Sequence, residues 1–453
     1  MSLLSLTDSQ RIFDQALGAA RAAGVDDIEM FLGAHATALT RFANNTIHQN
    51  VAERDRTLSV RALIGQRTAR ATTNLTGDDS IRRVVEEAIA LTKVAAPDPA
   101  LLPLPGPEEA GEIRADRSRF DAATAATTPE QRALAVKQAI SIVESASASA
   151  AGIFETGEET QVLLNSRGLF RCHAETSARF SVTATARDSS GWAKASAVSA
   201  DAIDPAALAR RASEKARLSA SPRELPPGRY TVVLEPAAVL DLVGQVFADF
   251  SATAIADQRS FLTGRSQGRL FGPNIVIDDD VHHPLQSGAP FDGEGMARGT
   301  LRLVDGGAVR DIPCSRGSAR RAGVTATGHG LPLPNETGEM PLNIVIAGGD
   351  SKIEDMIAAV DRGILVTRLW YIREVDPFEK IMTGMTRDGT FLIEGGRPVY
   401  GVRNFRFNQS VVEMLRNVVA MSPAVRASGE EAFDLVAPAM TVECFHFTEV
   451  TRF

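Results

Sequence analysis

One stretch near the middle of the chain constrains the fold more than any other. Residues 231–234 are rich in β-branched side chains, which favour a strand, and they lead almost directly to Pro236. Proline is favoured at the first position of a helix, and the apolar residues after it predict one continuous helix over residues 236–256. The fold must therefore hold a strand that passes into a long helix with almost no connecting loop.

The other predicted elements do not alternate regularly between helix and strand. Four helices are predicted in the first half of the chain, over residues 8–23, 78–91, 129–143 and 205–218. After residue 228 strands and glycines dominate, and helices are predicted only over residues 236–256, 353–362 and 411–417. This order disfavours a regular parallel sheet. It predicts an α+β fold, in which smaller N-terminal α/β units precede a large C-terminal domain rich in antiparallel strands.

Two proline-rich stretches divide the sequence. Residues 95–118 contain five prolines and many charges, and residues 219–228 contain three prolines. Both stretches are typical of linkers or long loops. We therefore predict three domains, over residues 1–94, 119–220 and 229–453.

Composition excludes several classes of function. Hydrophobic residues make up 44% of the chain and charged residues 23%, as in ordinary globular proteins. The net charge is −8 and no run of Lys and Arg stands out, so we expect no nucleic-acid partner. No run approaches the roughly 18 apolar residues of a membrane span, so we expect no membrane partner.

The N-terminal sequence and the cysteines predict a cytoplasmic protein. The first 17 residues lack a basic start followed by a long apolar stretch, so the pattern does not predict a signal peptide. The three cysteines, Cys172, Cys314 and Cys444, are odd in number and far apart. This suits a reducing compartment, with buried thiols as the simplest interpretation.

Six stretches, taken in order, carry a resemblance to a known family. They are residues 42–50, 58–67, 288–295 (Gly-Ala-Pro-Phe-Asp-Gly-Glu-Gly), 303–307, 363–373 and 391–396. In this order they resemble the TldD/PmbA family, and the likeness extends over nearly the whole chain. The resemblance implies a metallopeptidase family whose active subunits carry a zinc-binding helix, with a His-Glu pair and a second His, and whose partner subunits lack it.

Aligned on the strand and on Pro236, the positions of the zinc helix hold Gly244, Gln245 and Asp249. Glycine has no ligand atom, and glutamine cannot take up a proton as a general base must. Active members also use a cysteine that would fall near residues 421–429, where this chain has none. The resemblance therefore implies a TldE-like (PmbA-like) subunit without catalytic or metal-binding residues of its own.

The resemblance also implies partners and a function. The expected partner is a zinc-bearing TldD-like paralogue, with zinc in that subunit and no cofactor in this chain, and a homodimer is expected when the chain is alone. The complex would degrade unfolded or extended peptides or process peptide precursors. Two alternatives stay open: a stand-alone peptide-binding or regulatory protein, and an active metallopeptidase with a rebuilt metal site.

A rebuilt metal site would have to use other residues. Cys444 and His446 are two apart on a predicted strand and would share one face with Val442. They are the alternative metal ligands, although a pair buried in a core explains them more simply. His282 and His283 follow an acidic run, and a polar turn is the simpler interpretation there.

Three residues are candidates for substrate binding. They are Arg368, Tyr371 and Arg373, which lie in or just before the Trp-Tyr-Ile-Arg cluster of residues 370–373. This cluster could bind a peptide carboxylate or a partner chain. The same motif could be a strand with an aromatic core face. Glu294 could act as an acid or base, but its flanking glycines favour a turn.

Overall fold

A computed structural model describes residues 3–114, 119–265 and 268–451. The helices are α1 (Leu6–Ala22), α2 (Asp78–Val94), α3 (Pro107–Ala110), α4 (Ala122–Ala125), α5 (Pro129–Ser145), α6 (Pro205–Leu218), α7 (Pro236–Val243), α8 (Ala252–Ala256), α9 (Arg316–Ala322), α10 (Ile353–Ala358) and α11 (Val411–Arg416). The first strands are β1 (Asp27–Ala43), β2 (Thr46–Ile64), β3 (Arg67–Thr73), β4 (Ser149–Asn165), β5 (Phe170–Thr185), β6 (Ser190–Ala197) and β7 (Gly228–Leu234). The remaining strands are β8 (Ile277–Asp279), β9 (Leu301–Asp305), β10 (Ala308–Val309), β11 (Ile344–Ile346), β12 (Arg362–Asp376), β13 (Ile381–Glu394), β14 (Arg397–Gly401), β15 (Phe405–Ser410), β16 (Val418–Met421), β17 (Val425–Ala427), β18 (Leu435–Ala437) and β19 (Met440–Val450).

The N-terminal strands form one antiparallel sheet in the order β3-β2-β1-β4-β5-β6. Because β1 pairs with β4 along most of its length, the first two predicted units share this sheet. Helices α1 and α2 cover one half of one face, and α5 and α6 cover the other half of the same face. Strand β1 is a single long strand of 17 residues that is paired with β2 throughout.

Two further sheets build the C-terminal half of the described residues. One has the order β12-β7-β19-β15-β13-β14, with β16 paired to β19, and the other has the order β10-β9-β8-β11-β18-β17. Only the pairs β12–β7 and β11–β18 are parallel. The largest apolar core lies in this half and includes α7 and the phenylalanines of β15 and β19. The α+β fold class is confirmed.

The predicted continuous helix over residues 236–256 is wrong. Helix α7 ends at Val243, a 3-10 helix follows over Gly244–Asp249, and α8 begins after Ser251. The break has two local causes. Phe250 has ψ near 72°, which is not helical, and the Ser251 side chain caps α8 by accepting from the backbone N–H of Ala254.

The C-terminal half contains more elements than the sequence predicted. Helix α9 and the strands β14 to β18 were not predicted, because they are short and carry weak apolar periodicity. The linker predicted over residues 95–118 contains the short helix α3, and its residues 115–118 lie outside the described part. No helix in the described ranges is long and apolar enough to cross a bilayer.

Candidate functional site

The positions predicted for a zinc helix lie in the 3-10 helix that follows α7, and the first two of them contact the connection between β17 and β18. We call this connection, residues 428–434, the covering segment. The buried carboxylate of Asp241 accepts hydrogen bonds from the backbone N–H of Glu430 (3.0 Å) and Glu431 (3.1 Å), and from that of Leu369 (3.3 Å). Burial raises the pKa of Asp241 to about 6, because few water molecules can solvate its charge. Helix α7 therefore holds the covering segment in place.

Gly244 and Gln245 are both in contact with the covering segment. A Cβ atom built on Gly244 would overlap the Cβ of Ala432, so the site has no room for a side chain. The Gln245 amide donates to the backbone carbonyls of Glu431 (3.0 Å) and Asp241 (3.2 Å). Both positions serve the packing of the segment and offer no open ligand.

Asp249 is engaged by a lysine. Lys380 Nζ lies 2.5 Å from Asp249 Oδ2 and 2.6 Å from Glu374 Oε1, and Lys380 is 4% exposed. Burial raises the pKa of Asp249, and the ion pair with Lys380 offsets part of that rise. The carboxylate is thus already neutralised by a cation of the chain itself.

The three positions do not fit a zinc ion. Zinc takes three or four Cys, His or carboxylate ligands that converge within about 2.0–2.3 Å. Gly244 has no donor, the Gln245 amide is hydrogen-bonded, and Asp249 is paired with Lys380. Among the described residues, no group of three or more His, Cys, Asp or Glu side chains is arranged to hold a metal.

The structure corrects the expectation for Cys444. The pairing register of β19 shifts between Val442 and Phe445, and Cys444 has φ of +59°, so a β-bulge breaks the alternation of faces. Val442 and Phe445 are buried while Cys444 is exposed. The predictions that Cys444 lies with Val442 on one face and that its thiol is buried are therefore wrong. His446 is half-buried, and a metal site at Cys444 and His446 stays a prediction.

The three substrate-binding candidates lie on β12 in different environments. Arg368 is 6% exposed, and its guanidinium donates from Nε (2.9 Å) and from Nη2 to Asp388 Oδ2. The same guanidinium also contacts the rings of Trp192 and Trp370. The Arg368 guanidinium is therefore buried and already paired within the chain. Tyr371 is 53% exposed, and the Arg373 guanidinium lies 4.5 Å from the centre of its ring. Substrate binding by these residues stays a prediction.

A groove runs between the N-terminal sheet and the C-terminal half. Its volume is about 650 Å³. Glu175 and Arg179 line it from β5, and Arg298, His329 and Arg426 line it from the C-terminal half. The groove therefore presents charges of both signs together with apolar side chains such as those of Phe291 and Leu163.

The loop that contains Glu294 forms part of the groove wall. Asp292 Oδ1 accepts from the backbone N–H of Glu294 and Met296, and its Oδ2 accepts from that of Gly330. Burial, and then the nearby charge of Glu294, raise the pKa of Asp292 to about 7. Glu294 lies in a turn, as the simpler interpretation had it, but it is buried and accepts from the backbone N–H of Arg316.

A second buried acid behind the groove stays ionised. Burial would raise the pKa of Asp279, but His329, 3.2 Å away, and Arg298 outweigh this and lower the pKa to about 2. The turn at His282 and His283 is half-buried, and the His282 backbone N–H donates to Asp280. The groove thus has one acid in its wall, Asp292, that is easily protonated, and one acid behind it, Asp279, that stays ionised.

Models of three domains of one family match the chain. The PmbA/TldA metallopeptidase domain 1 matches residues 29–92, the central domain matches 122–220 and the C-terminal domain matches 227–449. The chain belongs to the TldD/PmbA family. The resemblance drawn from the sequence is thereby confirmed.

Several proteins of known sequence or structure are similar to this TldD/PmbA member. Metalloprotease PmbA of Escherichia coli O157:H7 is 22% identical over 380 residues, which are 80% of each chain. A metalloprotease of Methanothermobacter thermautotrophicus is 25% identical over 281 residues, 58% of this chain and 59% of that protein. The solved structure of TldE from Thermococcus kodakarensis is 18% identical, has a TM-score of 0.87, and covers 97% of this chain and 100% of its own. At that identity the structural likeness shows the fold alone.

Sequence reasoning on this TldD/PmbA member missed the groove and the covering segment. Asp241 and Ala432 are 191 positions apart along the chain, and nothing local marks either of them as part of a site. A partial signal was present at Asp292, which lies in the Phe-Asp-Gly-Glu-Gly turn beside Glu294. Asp292 follows the apolar residues 289–291 directly, and an acid next to an apolar run is a pattern that a buried carboxyl can produce.

Proposed function

We propose that this chain is the non-catalytic subunit of a TldD/TldE-type metalloprotease of the cytoplasm. Its partner would be a zinc-bearing TldD-like paralogue, and the substrates of the pair would be unfolded or extended peptides. One observation carries the proposal: the covering segment occupies the space beside Gly244, where a ligand of a zinc helix would need room. A subunit built this way would shape the peptide channel and stabilise the active partner.

The proposal requires that the chain bind no zinc of its own. Metal affinity depends on deprotonated ligands that converge on one point, and the side chains of Gln245 and Asp249 are already bonded within the chain. We expect elemental analysis of protein purified without chelators to find far less than one zinc per chain. About one zinc per chain that survives dialysis would refute the proposal, and its loss in Cys444→Ser with His446→Ala would locate it.

Activity provides the main test. Casein or a flexible peptide should stay intact with this chain alone, because Gln245 cannot act as a general base. Cleavage is expected on mixing the chain with the paralogue, at a rate above that of the paralogue alone. The control is the paralogue with the glutamate of its His-Glu pair changed to glutamine, which should leave the mixture inactive. Metal-dependent cleavage by this chain alone would count against the idea.

A second candidate, a stand-alone peptide-binding protein, is favoured by the groove, which a single chain already forms. An extended peptide could cross it between β5 and the covering segment. Binding of a labelled peptide to the isolated chain can be measured by fluorescence anisotropy. Tight binding in the absence of any effect on the paralogue's activity would favour this candidate over the subunit.

A further inference from the structure

A second cleft is built from both halves of the molecule. It is lined by residues within the ranges 185–190, 219–222, 385–390 and 402–404, and we call it the arginine cleft. Its volume is about 710 Å³, which is within the range of small-molecule sites. Among the described residues, none lines both this cleft and the groove. A ligand here would contact the turn between β5 and β6 and the C-terminal sheet that contains β13.

Three arginines from separate segments line the arginine cleft. They are Arg187 of the β5–β6 turn, Arg387 of β13 and Arg403 of the connection between β14 and β15. In the described part of the chain, the Arg187 side chain has no ion-pair or hydrogen-bond partner. Arg387 Nε lies 3.6 Å from Asp388 Oδ2, and Arg403 Nε lies 3.5 Å from Glu224 Oε1. Both distances exceed those of ordinary hydrogen bonds, so these guanidinium groups keep donors available to a ligand.

The acids of the arginine cleft are already engaged within the chain. Asp388 Oδ2 accepts from Arg368, and its Oδ1 accepts from Ser190 Oγ (2.6 Å). Asp188 Oδ2 accepts from the backbone N–H of Ser221 (3.2 Å). Because Arg368 balances the charge of Asp388, these acids offset the positive charge of the three arginines only in part.

Neutral groups add further donors to the arginine cleft. Asn404 Oδ1 accepts from the hydroxyls of Thr386 (3.3 Å) and Thr390 (3.2 Å), whereas its Nδ2 donates to no atom of the described residues. The hydroxyl oxygens of Ser189 and Ser219 are buried without a hydrogen-bond partner in the same part of the chain, and Ser219 is 8% exposed. Buried hydroxyl groups are normally hydrogen-bonded, so both are available to a ligand that enters the cleft.

We propose that the arginine cleft binds a phosphate group, either as free phosphate or as the phosphate ester of a small metabolite. A phosphate ester carries about two negative charges near pH 7 and presents three strong acceptor oxygens. It therefore complements a cleft of cations and donors whose acids are engaged elsewhere. Arginine suits this role, because its planar fork can donate to two oxygens of one phosphate.

This inference goes beyond the proposed function and does not depend on it. A phosphate held by Arg187 and Arg403 would connect the β5–β6 turn of the N-terminal sheet to the C-terminal half. A ligand that binds only the folded chain stabilises it, so phosphate should raise the melting temperature of the native chain.

Calorimetric titration tests the site with two probes, inorganic phosphate and glycerol phosphate, each at constant ionic strength. We expect saturable binding, weakened at least about tenfold in Arg187→Ala and in Arg403→Ala, because each variant loses charged hydrogen bonds to the phosphate. Arg320→Ala is the matched control and should bind like the native chain. Arg320 of α9 is exposed and lies outside the cleft, and its side chain also has no partner among the described residues. Tighter binding of the ester would identify a phosphorylated metabolite as the ligand, and equal affinity would identify free phosphate.

The sign of the charge is tested separately. Asp188→Asn removes a negative charge from the arginine cleft but keeps an oxygen that can accept from Ser221, so it should bind phosphate more tightly than the native chain. Weaker binding by this variant would overturn the proposal, as would the absence of saturable binding of both probes. Equal affinity in the native chain and Arg187→Ala would also overturn it. So would an equal rise in melting temperature with phosphate in these two proteins, because that is a general salt effect.

Discussion

The absence of a side chain at Gly244 lets the covering segment pack against this position. Helix α7 ends there with ordinary right-handed backbone angles, so the backbone itself does not require glycine. The requirement comes from Ala432 of the covering segment, whose Cβ would overlap a Cβ at position 244. Packing across the molecule thus fixes the identity of this residue.

We predict that Gly244→Ala destabilises the protein. In an unobstructed helical position the change would stabilise by up to about 1 kcal/mol. Overpacking against Ala432 should reverse the sign and cost about 1–3 kcal/mol. Ala432→Gly in the same chain should recover most of the loss, because it removes the overlapping atom. Urea unfolding of the two single variants and the double variant measures both effects. An unchanged or raised stability of Gly244→Ala would show that the segment moves aside freely.

At the scale of elements, strand β12 combines a structural role and an exposed surface. Its first half is buried, and there Arg368 forms an ion pair with Asp388, whose other oxygen accepts from Ser190 of β6. Register shifts follow, and Tyr371 has φ of +57°. Beyond this irregularity the strand is largely exposed. There Arg373 Nη1 lies 3.8 Å from Glu431 Oε2 of the covering segment.

The two arginines of β12 should therefore respond differently to substitution. Arg368→Ala removes the nearest cation from the buried carboxylate of Asp388 and leaves it only Arg387, whose Nε lies 3.6 Å away. The change should cost about 3 kcal/mol of unfolding free energy, the lower end of the range for a buried charge that loses its partner. Arg373→Ala, at an exposed position, should change stability by less than about 0.5 kcal/mol. Chemical denaturation of both variants is the measurement. A mild effect of Arg368→Ala would mean that water reaches Asp388, and a large effect of Arg373→Ala would reveal a structural role for its stacking on Tyr371.

The elements show what the sequence could and could not predict. Helix α6 was predicted to the residue, because Pro205 begins it and the Asp204 side chain caps it, both of which are local signals. The helix after β7 was predicted too long, because its apolar run continues past the non-helical backbone at Phe250 and the cap at Ser251. The faces of β19 were predicted wrongly, because the bulge at Cys444 has no local signature. Apolar periodicity alone therefore could not predict the break in the helix or the bulge in the strand.

At the scale of the whole molecule, the covering segment joins the two halves. Lys194 of β6 donates to the backbone carbonyl of Gly429, and Ser196 donates to Asp434 (2.6 Å). Arg426, which precedes the segment, donates to Ser196 (3.0 Å). The segment that packs on α7 therefore also contacts the N-terminal sheet, and its residues Phe433 and Asp434 line the groove.

The acid in the groove wall predicts a pH dependence of overall stability. The pKa of Asp292 is raised to about 7 in the folded protein from an ordinary value of 3.8. Its contribution to stability is fully present below about pH 4 and is lost as the pH rises through 7, because the folded state must then release a proton that the unfolded state lost earlier. The loss is on the order of 4 kcal/mol.

Comparison with Asp292→Asn isolates this contribution from those of other groups. The melting temperature of the native chain, measured relative to that of the variant by calorimetry, should fall between pH 4 and pH 7.5. Asp278→Asn, which changes a more exposed acid that pairs with Arg302, is the control and should not reproduce the trend. A constant difference between the native chain and Asp292→Asn across this range would show that water reaches Asp292.

The bulge in β19 has a practical consequence. It turns the thiol of Cys444 to the surface, whereas burial raises the pKa of the Cys172 and Cys314 thiols and makes them poor nucleophiles. A maleimide dye should therefore label the native chain at a single position without any engineering. That position lies on the sheet that also contains β12, so a fluorophore there could report on the approach of another molecule.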